Sequence, residues 1–252
     1  MRIILKIIIL CTLSVAYEAN IGIMGQEPKG ELKEQGVPMG FGINFNGVFY
    51  PVSQLQSTSI LGWGLNVGYG EYGSTSRQIP FNYFSDLITI TEKTKNTMGH
   101  WHFFLKFIPF NIGKTSLSKW SVKPFCEGLV GFKHLSTTTK LYNNNCSNDP
   151  ETNYDDCEIA SSRNASDWAF SYGLGLGLDL LFNKIDDPET LQRGDLYFFI
   201  NGRYLWGNKA QYLKEGDIEF SDPEEGPVET TFNWNKSNTD LLHITIGLGF
   251  RF

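Results

Sequence analysis

Asp240-Leu241-Leu242-His243-Ile244-Thr245-Ile246-Gly247-Leu248-Gly249-Phe250-Arg251-Phe252 repeats with a period of two. Leu242, Ile244, Ile246, Leu248, Phe250 and Phe252 share one face. His243, Thr245, Gly247, Gly249 and Arg251 share the other. Successive side chains of a strand point to opposite sides of a sheet, so this stretch is a strand. Its apolar row runs unbroken to Phe252, where a sheet in water ordinarily gives way to a polar tail.

Working back from it, the pattern recurs seven times. Residues 17–25 alternate weakly, with Ala19, Ile21 and Ile23 against Asn20 and Gly22. Residues 39–50 set Phe41, Ile43, Phe45 and Phe49 against Gly40, Gly42, Asn44 and Asn46. Residues 60–72 set Leu61, Trp63, Leu65, Val67 and Tyr69 against Gly and Asn. Residues 97–109 place Trp101, Phe103, Leu105 and Phe107 opposite His100, His102 and Lys106. In residues 121–134, Val122, Cys126, Val130 and Phe132 oppose Lys123, Phe125, Glu127 and Lys133. Residues 167–182 are the most regular, with an apolar row from Trp168 to Phe182 against Ser171, Gly173, Gly175, Gly177 and Asp179. Residues 194–207 set Leu196, Phe198, Ile200, Tyr204 and Trp206 against Tyr197, Asn201 and Arg203.

Eight strands is an even number, as a single-chain bacterial membrane barrel requires. The connections alternate too. Those after the second, fourth and sixth strands have about ten residues, and those after the third, fifth and seventh about 25 to 32. Short periplasmic turns and long outer loops have this asymmetry. The expected fold is therefore all-β: an eight-stranded antiparallel up-and-down transmembrane β-barrel over residues 17–252. Its long outer loops are expected at 73–96, 135–166 and 208–239, with Leu87-Ile88-Thr89-Ile90-Thr91 a candidate strand extension in the first.

Composition bounds the alternatives. Aromatics make up 14% of 252 residues and Gly accounts for 26. A helical membrane protein needs apolar runs of about 20 residues. The longest apolar run here lies near the N-terminus, where Arg2 and Lys6 precede residues 7–13, followed by Ser14-Val15-Ala16. That is the form of a signal peptide, residues 1–16, cut after Ala16. Its removal takes two cations and no acid, so the formal charge goes from −6 to −8. An acidic exported chain argues against nucleic acid as a partner. Cys146 and Cys157 lie in one polar segment and are expected to form a disulfide in an oxidising compartment. Cys126 sits in the apolar row and is expected to stay a thiol.

A soluble barrel that turns its apolar row inward around a ligand is the main alternative. Three features oppose it. The other face carries Gly, Asn, Lys, Arg and Asp, a poor lining for a lipid pocket. Aromatics gather at strand ends: Trp63, Tyr69, Trp101, Trp168, Tyr204 and Trp206. And the chain closes on Phe252.

Lys123-Pro124-Phe125, Ala169-Phe170-Ser171-Tyr172-Gly173-Leu174-Gly175, Gly202-Arg203-Tyr204 and Ile246-Gly247-Leu248-Gly249-Phe250-Arg251-Phe252 stand in this order along the chain. Together they resemble the outer-membrane-protein β-barrel domain family, the small OmpA/OmpX-like barrels, across residues 17–252. The resemblance implies a place in the cell outer membrane, among its lipids and lipopolysaccharide. It implies delivery by the barrel-assembly machinery, with Phe252 as the membrane-insertion signal. It transfers no catalytic residue and no cofactor.

The candidate site is the barrel interior. Lys106, Lys123, Glu127, Lys133, Asp179, Arg203 and Arg251 all fall on the inward row. Such charges must pair, because an unpaired buried charge is costly. The expected result is a closed polar core that holds the register; a gated narrow pore is the functional alternative. His100 and His102, with Glu127 or Asp179, have metal-ligand chemistry. No third ligand follows from spacing, so no metal is assigned. His134-Leu135-Ser136 resembles the His-x-Ser pair of lipid A deacylase barrels, with both residues expected to face lipid. Thr137 follows where that family has Asn, and the pair ends the fifth strand rather than the seventh. The expected role is structural or surface-presenting, without catalysis. The alternatives are a lipid-modifying enzyme, or a barrel whose loops bind a ligand or an outer-membrane or extracellular protein.

Overall fold

The computed structural model describes residues 15–51, 60–83, 86–109, 121–143, 158–186, 193–214, 217–220 and 230–251. Seven long strands come first: β1 (Val15–Pro28), β2 (Gly40–Pro51), β3 (Ile60–Tyr83), β4 (Asp86–Ile108), β5 (Ser121–Asn143), β6 (Glu158–Asp186) and β7 (Arg193–Gly207). Four short ones follow: β8 (Lys209–Tyr212), β9 (Ile218–Phe220), β10 (Thr230–Phe232) and β11 (Asn235–Asn238). The last, β12 (Leu241–Arg251), returns to the barrel. β1 to β7 and β12 form one closed antiparallel ring in the order β1-β12-β7-β6-β5-β4-β3-β2. β1 seals it, pairing with β2 on one side and β12 on the other. A closed sheet leaves no open edge, so every spanning backbone group is satisfied without water.

The two faces differ as the alternation requires. Outside, apolar side chains stand in the open, up to 73% exposed at Ile23 and 71% at Leu176. Inside, Asn44, Asn66, His100, Lys106, Lys133, Asp179, Arg203 and His243 are all buried. Aromatic pairs ring the outside at two levels. Trp101 and Trp168 lie 5.2 Å apart, and Tyr172 stacks on Trp206 at 5.6 Å. At the other level Phe49 meets Trp63 at 4.8 Å and Phe182 meets Phe198 at 4.8 Å. A belt of this kind flanked by aromatic girdles is the surface a bilayer demands.

The wall is lopsided. β1, β2, β7 and β12 have 14, 12, 15 and 11 residues, whereas β3 to β6 have 24, 23, 23 and 29. A tilted membrane strand needs about 9–11 residues, so β3 to β6 continue beyond the bilayer as a projecting sheet. This corrects the expected loops at 73–96 and 135–166. The first is the upper half of the β3–β4 hairpin, paired from Ser74↔Lys95 to Tyr83↔Asp86. Much of the second is β5 to Asn143 and β6 from Glu158. Register shifts at Glu71/Gly73 and Thr137/Thr138 mark where these strands leave the rim. A bulge there adds twist and re-aims the strand. The expected loop at 208–239 is also structured in part, as the pairs β8–β11 and β9–β10.

The loop end of the barrel is stoppered. A short helix, α1 (Gly30–Glu34), follows β1. Its Leu32 packs with Val37, Tyr72, Met98, Leu135, Ala169, Ala210, Tyr212 and Leu241 in one buried cluster. Loop residues and wall residues thus share a small core across the mouth. Polar ties fasten it: Lys29 N–H donates to Asp240 O at 2.9 Å, Asn238 N–H to Glu31 Oε2 at 2.9 Å, and Lys214 Nζ to Gln35 O at 2.7 Å. Residues 1–14 of the expected signal peptide, Cys146 and Cys157 of the expected disulfide, and Phe252 lie outside the described residues. Val15 and Ala16 pair with Pro51 and Tyr50 at the start of β1.

Candidate functional site

Three tiers of polar side chains fill the barrel. Nearest the end that holds Val15 and Arg251, two acids meet two bases. Lys106 Nζ donates to Glu18 Oε1 at 2.8 Å and to Asp179 Oδ2 at 2.9 Å. Arg251 pairs with Glu18 and reaches Asp179 at 3.1 Å. Tyr50 OH donates to Glu18 Oε2 at 2.8 Å, and Tyr197 OH to Asn20 Oδ1 at 2.5 Å. The Arg251 guanidinium lies 5.4 Å from the Tyr50 ring and 5.2 Å from Tyr197. Equal numbers of opposite charges, each with several hydrogen bonds, are what makes such burial tolerable.

The middle tier is built on Arg203. Its Nε donates to Glu127 Oε2 at 2.8 Å and its Nη2 to Asn46 Oδ1 at 3.1 Å. Asn66 Nδ2 bridges Asn46 Oδ1 at 2.7 Å and Asn44 Oδ1 at 2.9 Å. Glycine makes room for these side chains on β6. A Cβ at Gly175 would fall 2.9 Å from Arg203 Cγ, and one at Gly177 would run into the Phe125 ring.

The upper tier, under the stopper, holds His100, His102, His243 and Lys133. His100 Nε2 lies 3.2 Å from Asn44 Nδ2, and His102 Nε2 lies 3.1 Å from Ser171 Oγ.

The expected interior set therefore divides. Lys106, Asp179 and Arg251 belong to one cluster, and Glu127 and Arg203 to another. Lys133 is buried and joins neither. Its ammonium donates to Leu205 O at 3.1 Å and to Thr239 O at 2.5 Å, tying the wall to the start of β12. Lys123 is at the rim, 3.4 Å from Asp195. The hub of the first cluster, Glu18, was not among the candidates, although it is in phase with Asn20 on the inward row. Cys126 is a free thiol on the outward face.

Of the outward His-x-Ser pair, Ser136 keeps the outward phase of the strand, opposite Ser166, but is covered rather than open to lipid. His134 reaches across to β6, with Nε2 2.8 Å from Ser166 Oγ and its ring 4.6 Å from Trp168. Asp167 is engaged elsewhere, accepting from Trp168 N–H and Gln211 N–H at 2.8 Å each.

The closed sheet, the apolar belt and its girdles make the chain a small eight-stranded barrel of the outer membrane. No family model matches it, and no curated protein does. Among solved structures it is similar to a major outer membrane protein from Thermus thermophilus, at 14% identity over 93% of this chain and 99% of that one, TM-score 0.34. It is similar to Neisserial surface protein A at 8% identity over 94% and 95%, TM-score 0.33. It is also similar to Ail, the attachment invasion locus protein of Yersinia pestis, solved with the heparin analogue sucrose octasulfate, at 14% identity over 95% and 98%, TM-score 0.27.

Proposed function

We propose that this OmpA/OmpX-like barrel is a non-conducting anchor that presents a projecting sheet, β3 to β6, and the loop strands β8 to β11 outside the cell. The observation that carries this reading is the lopsided wall above a filled interior. β3 to β6 each spend about a dozen residues or more beyond bilayer needs, and the mouth is stoppered with Leu32, Tyr72 and Tyr212. A diffusion pore needs neither. Its surroundings in this reading are outer-membrane lipids and lipopolysaccharide, its delivery is by the barrel-assembly machinery, and its loops engage an outer-membrane or extracellular protein. Planar-bilayer recordings test it. Wild-type protein should give no channel steps, and neither should Leu32→Asp, because the polar tiers below the stopper still fill the barrel. Steady conductance from the wild type would overturn the anchor reading. Protease on intact cells should cut within residues 135–166 or 208–239 and spare 183–193.

One observation favours a second reading, lipid modification: the 2.8 Å contact between His134 Nε2 and Ser166 Oγ on the outward face. There His134 would take the Ser166 proton as the hydroxyl attacks an acyl ester, and return it to the departing alkoxide as the ester C–O bond breaks and the acyl group passes to Ser166. Ser166→Ala with unchanged lipid A by mass spectrometry would remove it.

A further inference from the structure

The projecting sheet has two edges, and they are finished differently. On the β6 side a loop strand covers the backbone. Asn208 N–H donates to Phe170 O at 2.9 Å, and Gln211 N–H, on β8, donates to Asp167 Oδ2 at 2.8 Å. On the β3 side the neighbour stops. The pairing of β2 with β3 ends at Phe41↔Glu71, while β3 runs on against β4 to Tyr83↔Asp86. Among the described residues, no strand pairs with that side of β3 above Glu71.

The ladder fixes which backbone groups lie on this edge. A Cβ at Gly131 would run into Trp101 O, so Trp101 turns its carbonyl toward β5. Alternate residues of β4 do the same, because β4 pairs with β5 without a register shift. Lys95, Lys93 and Thr91 therefore face β5. In an antiparallel ladder two partners either bond each other or both turn away. Their partners on β3 are Ser74, Ser76 and Gln78, so these three aim N–H and C=O away from β4. Pro80 falls in the same series, opposite Thr89, and a strand proline sits where no ladder donor is needed. Both observations put the open row at the even positions. The side chains of Ser74, Ser76 and Gln78 are exposed.

Sheets usually blunt an open edge with lysine, proline, a bulge or a cover. Here the bulge at Glu71/Gly73 and the proline at residue 80 bound the edge, and between them its row is Ser, Ser and Gln. A row of peptide donors and acceptors is completed by the backbone of another extended strand. A second copy in the same membrane does not supply it. Two barrels pointing the same way bring this edge up in parallel at equal height, N–H opposite N–H and C=O opposite C=O. The outward row of β3 to β5 above the rim also has a sign: Lys93, Lys95 and Lys140 against one acid, Glu71. Lys95 already reaches over β3 to Glu71 at 2.6 Å. We propose that residues 74–78 are a docking edge for an extended segment of another protein, one with acidic side chains on its outward face. This names the kind of partner for the presenting sheet and rests on that reading.

The test uses the refolded mature protein in detergent micelles, with amide hydrogen exchange followed by NMR. In the free protein Ser74, Ser76 and Gln78 should exchange quickly, while Thr75 and Arg77, turned to β4, exchange slowly. A large excess of a short synthetic peptide alternating threonine and glutamate should slow the first three several-fold. A peptide alternating threonine and lysine should slow them less. Ser76→Pro removes one edge N–H and none from the β4 ladder, so it should keep the slow exchange of Thr75 and Arg77 and abolish the peptide effect at Ser74 and Gln78. Slow exchange of Ser74, Ser76 and Gln78 in the free protein, no added protection with the glutamate peptide, or equal protection with the lysine peptide overturns the proposal. Should Ser76→Pro fail to fold, the wild-type pattern with the two peptides decides. The bilayer recordings are independent: conductance there overturns the anchor, whereas unchanged exchange here overturns the docking edge alone.

Discussion

Glu18 shows how much one side chain can carry inside a narrow barrel. It accepts hydrogen bonds from Lys106, Arg251, Tyr50 and Asn20. Removing its charge leaves Lys106 and Arg251 to share Asp179. Glu18→Gln should therefore lower folding free energy in vesicles by about 3–5 kcal/mol, the penalty for breaking a buried pair from one side. The double change Glu18→Gln with Lys106→Met should recover part of it. Lys95 and Glu71 make a contact as short, 2.6 Å, but on the projecting sheet with side chains 52% and 37% exposed. There Lys95→Met should change stability by only about 0–1 kcal/mol. At this scale the sequence was readable as facing. His100, His102, Lys106, Asp179 and Arg203 all point inward as alternation requires. Partners were not readable, because alternation fixes neither the height of a residue in the barrel nor its angle round the ring. His100 and His243 are neighbours only once the register of the four intervening pairings on either side is set. Glu18 was hidden by the weakness of its strand, where Glu18 and Asn20 face Ala19 and Ile21 over a short run.

The strands within the belt were legible because lipid on one side and packed polar groups on the other impose opposite chemistry. β3 to β6 lose that contrast above the rim. Ser74, Ser76, Thr91, Lys93 and Lys95 alternate with Thr75, Arg77, Glu92, Thr94 and Asn96, polar against polar. Hydropathy is silent there, and the segments read as loops although their backbones are paired. Amide hydrogen exchange distinguishes the two. Lys93, Lys95, Thr138 and Lys140 should exchange far more slowly than an open loop allows; exchange at loop rates would mean that the sheet ends at the rim. The stopper was hidden for a different reason. Leu32 is an isolated apolar residue in polar surroundings and Ala210, Tyr212 and Leu213 a run too short to repeat, and a core assembled from such scraps of separate loops leaves no periodic trace.

For the whole molecule, everything above depends on which face meets lipid. Fold and interior are consistent with that assignment, but the apolar belt is what makes an inward polar network necessary: the barrel inverts a soluble core. Leu176 stands in the middle of β6 and is 71% exposed; Trp168 stands at the girdle, packed with His134 and Trp101. Arginine substituted singly at Trp168, Tyr172, Leu176 and Leu180, with folding free energy measured in lipid vesicles, samples depth along one strand. Gly175→Arg is the control, failing by overpacking against Arg203 whatever the depth. The account predicts a loss of about 2–4 kcal/mol at Leu176, falling to about 0–1 kcal/mol from charge alone at Trp168. A flat profile along β6, or a mature protein that stays folded and soluble without detergent, would contradict it.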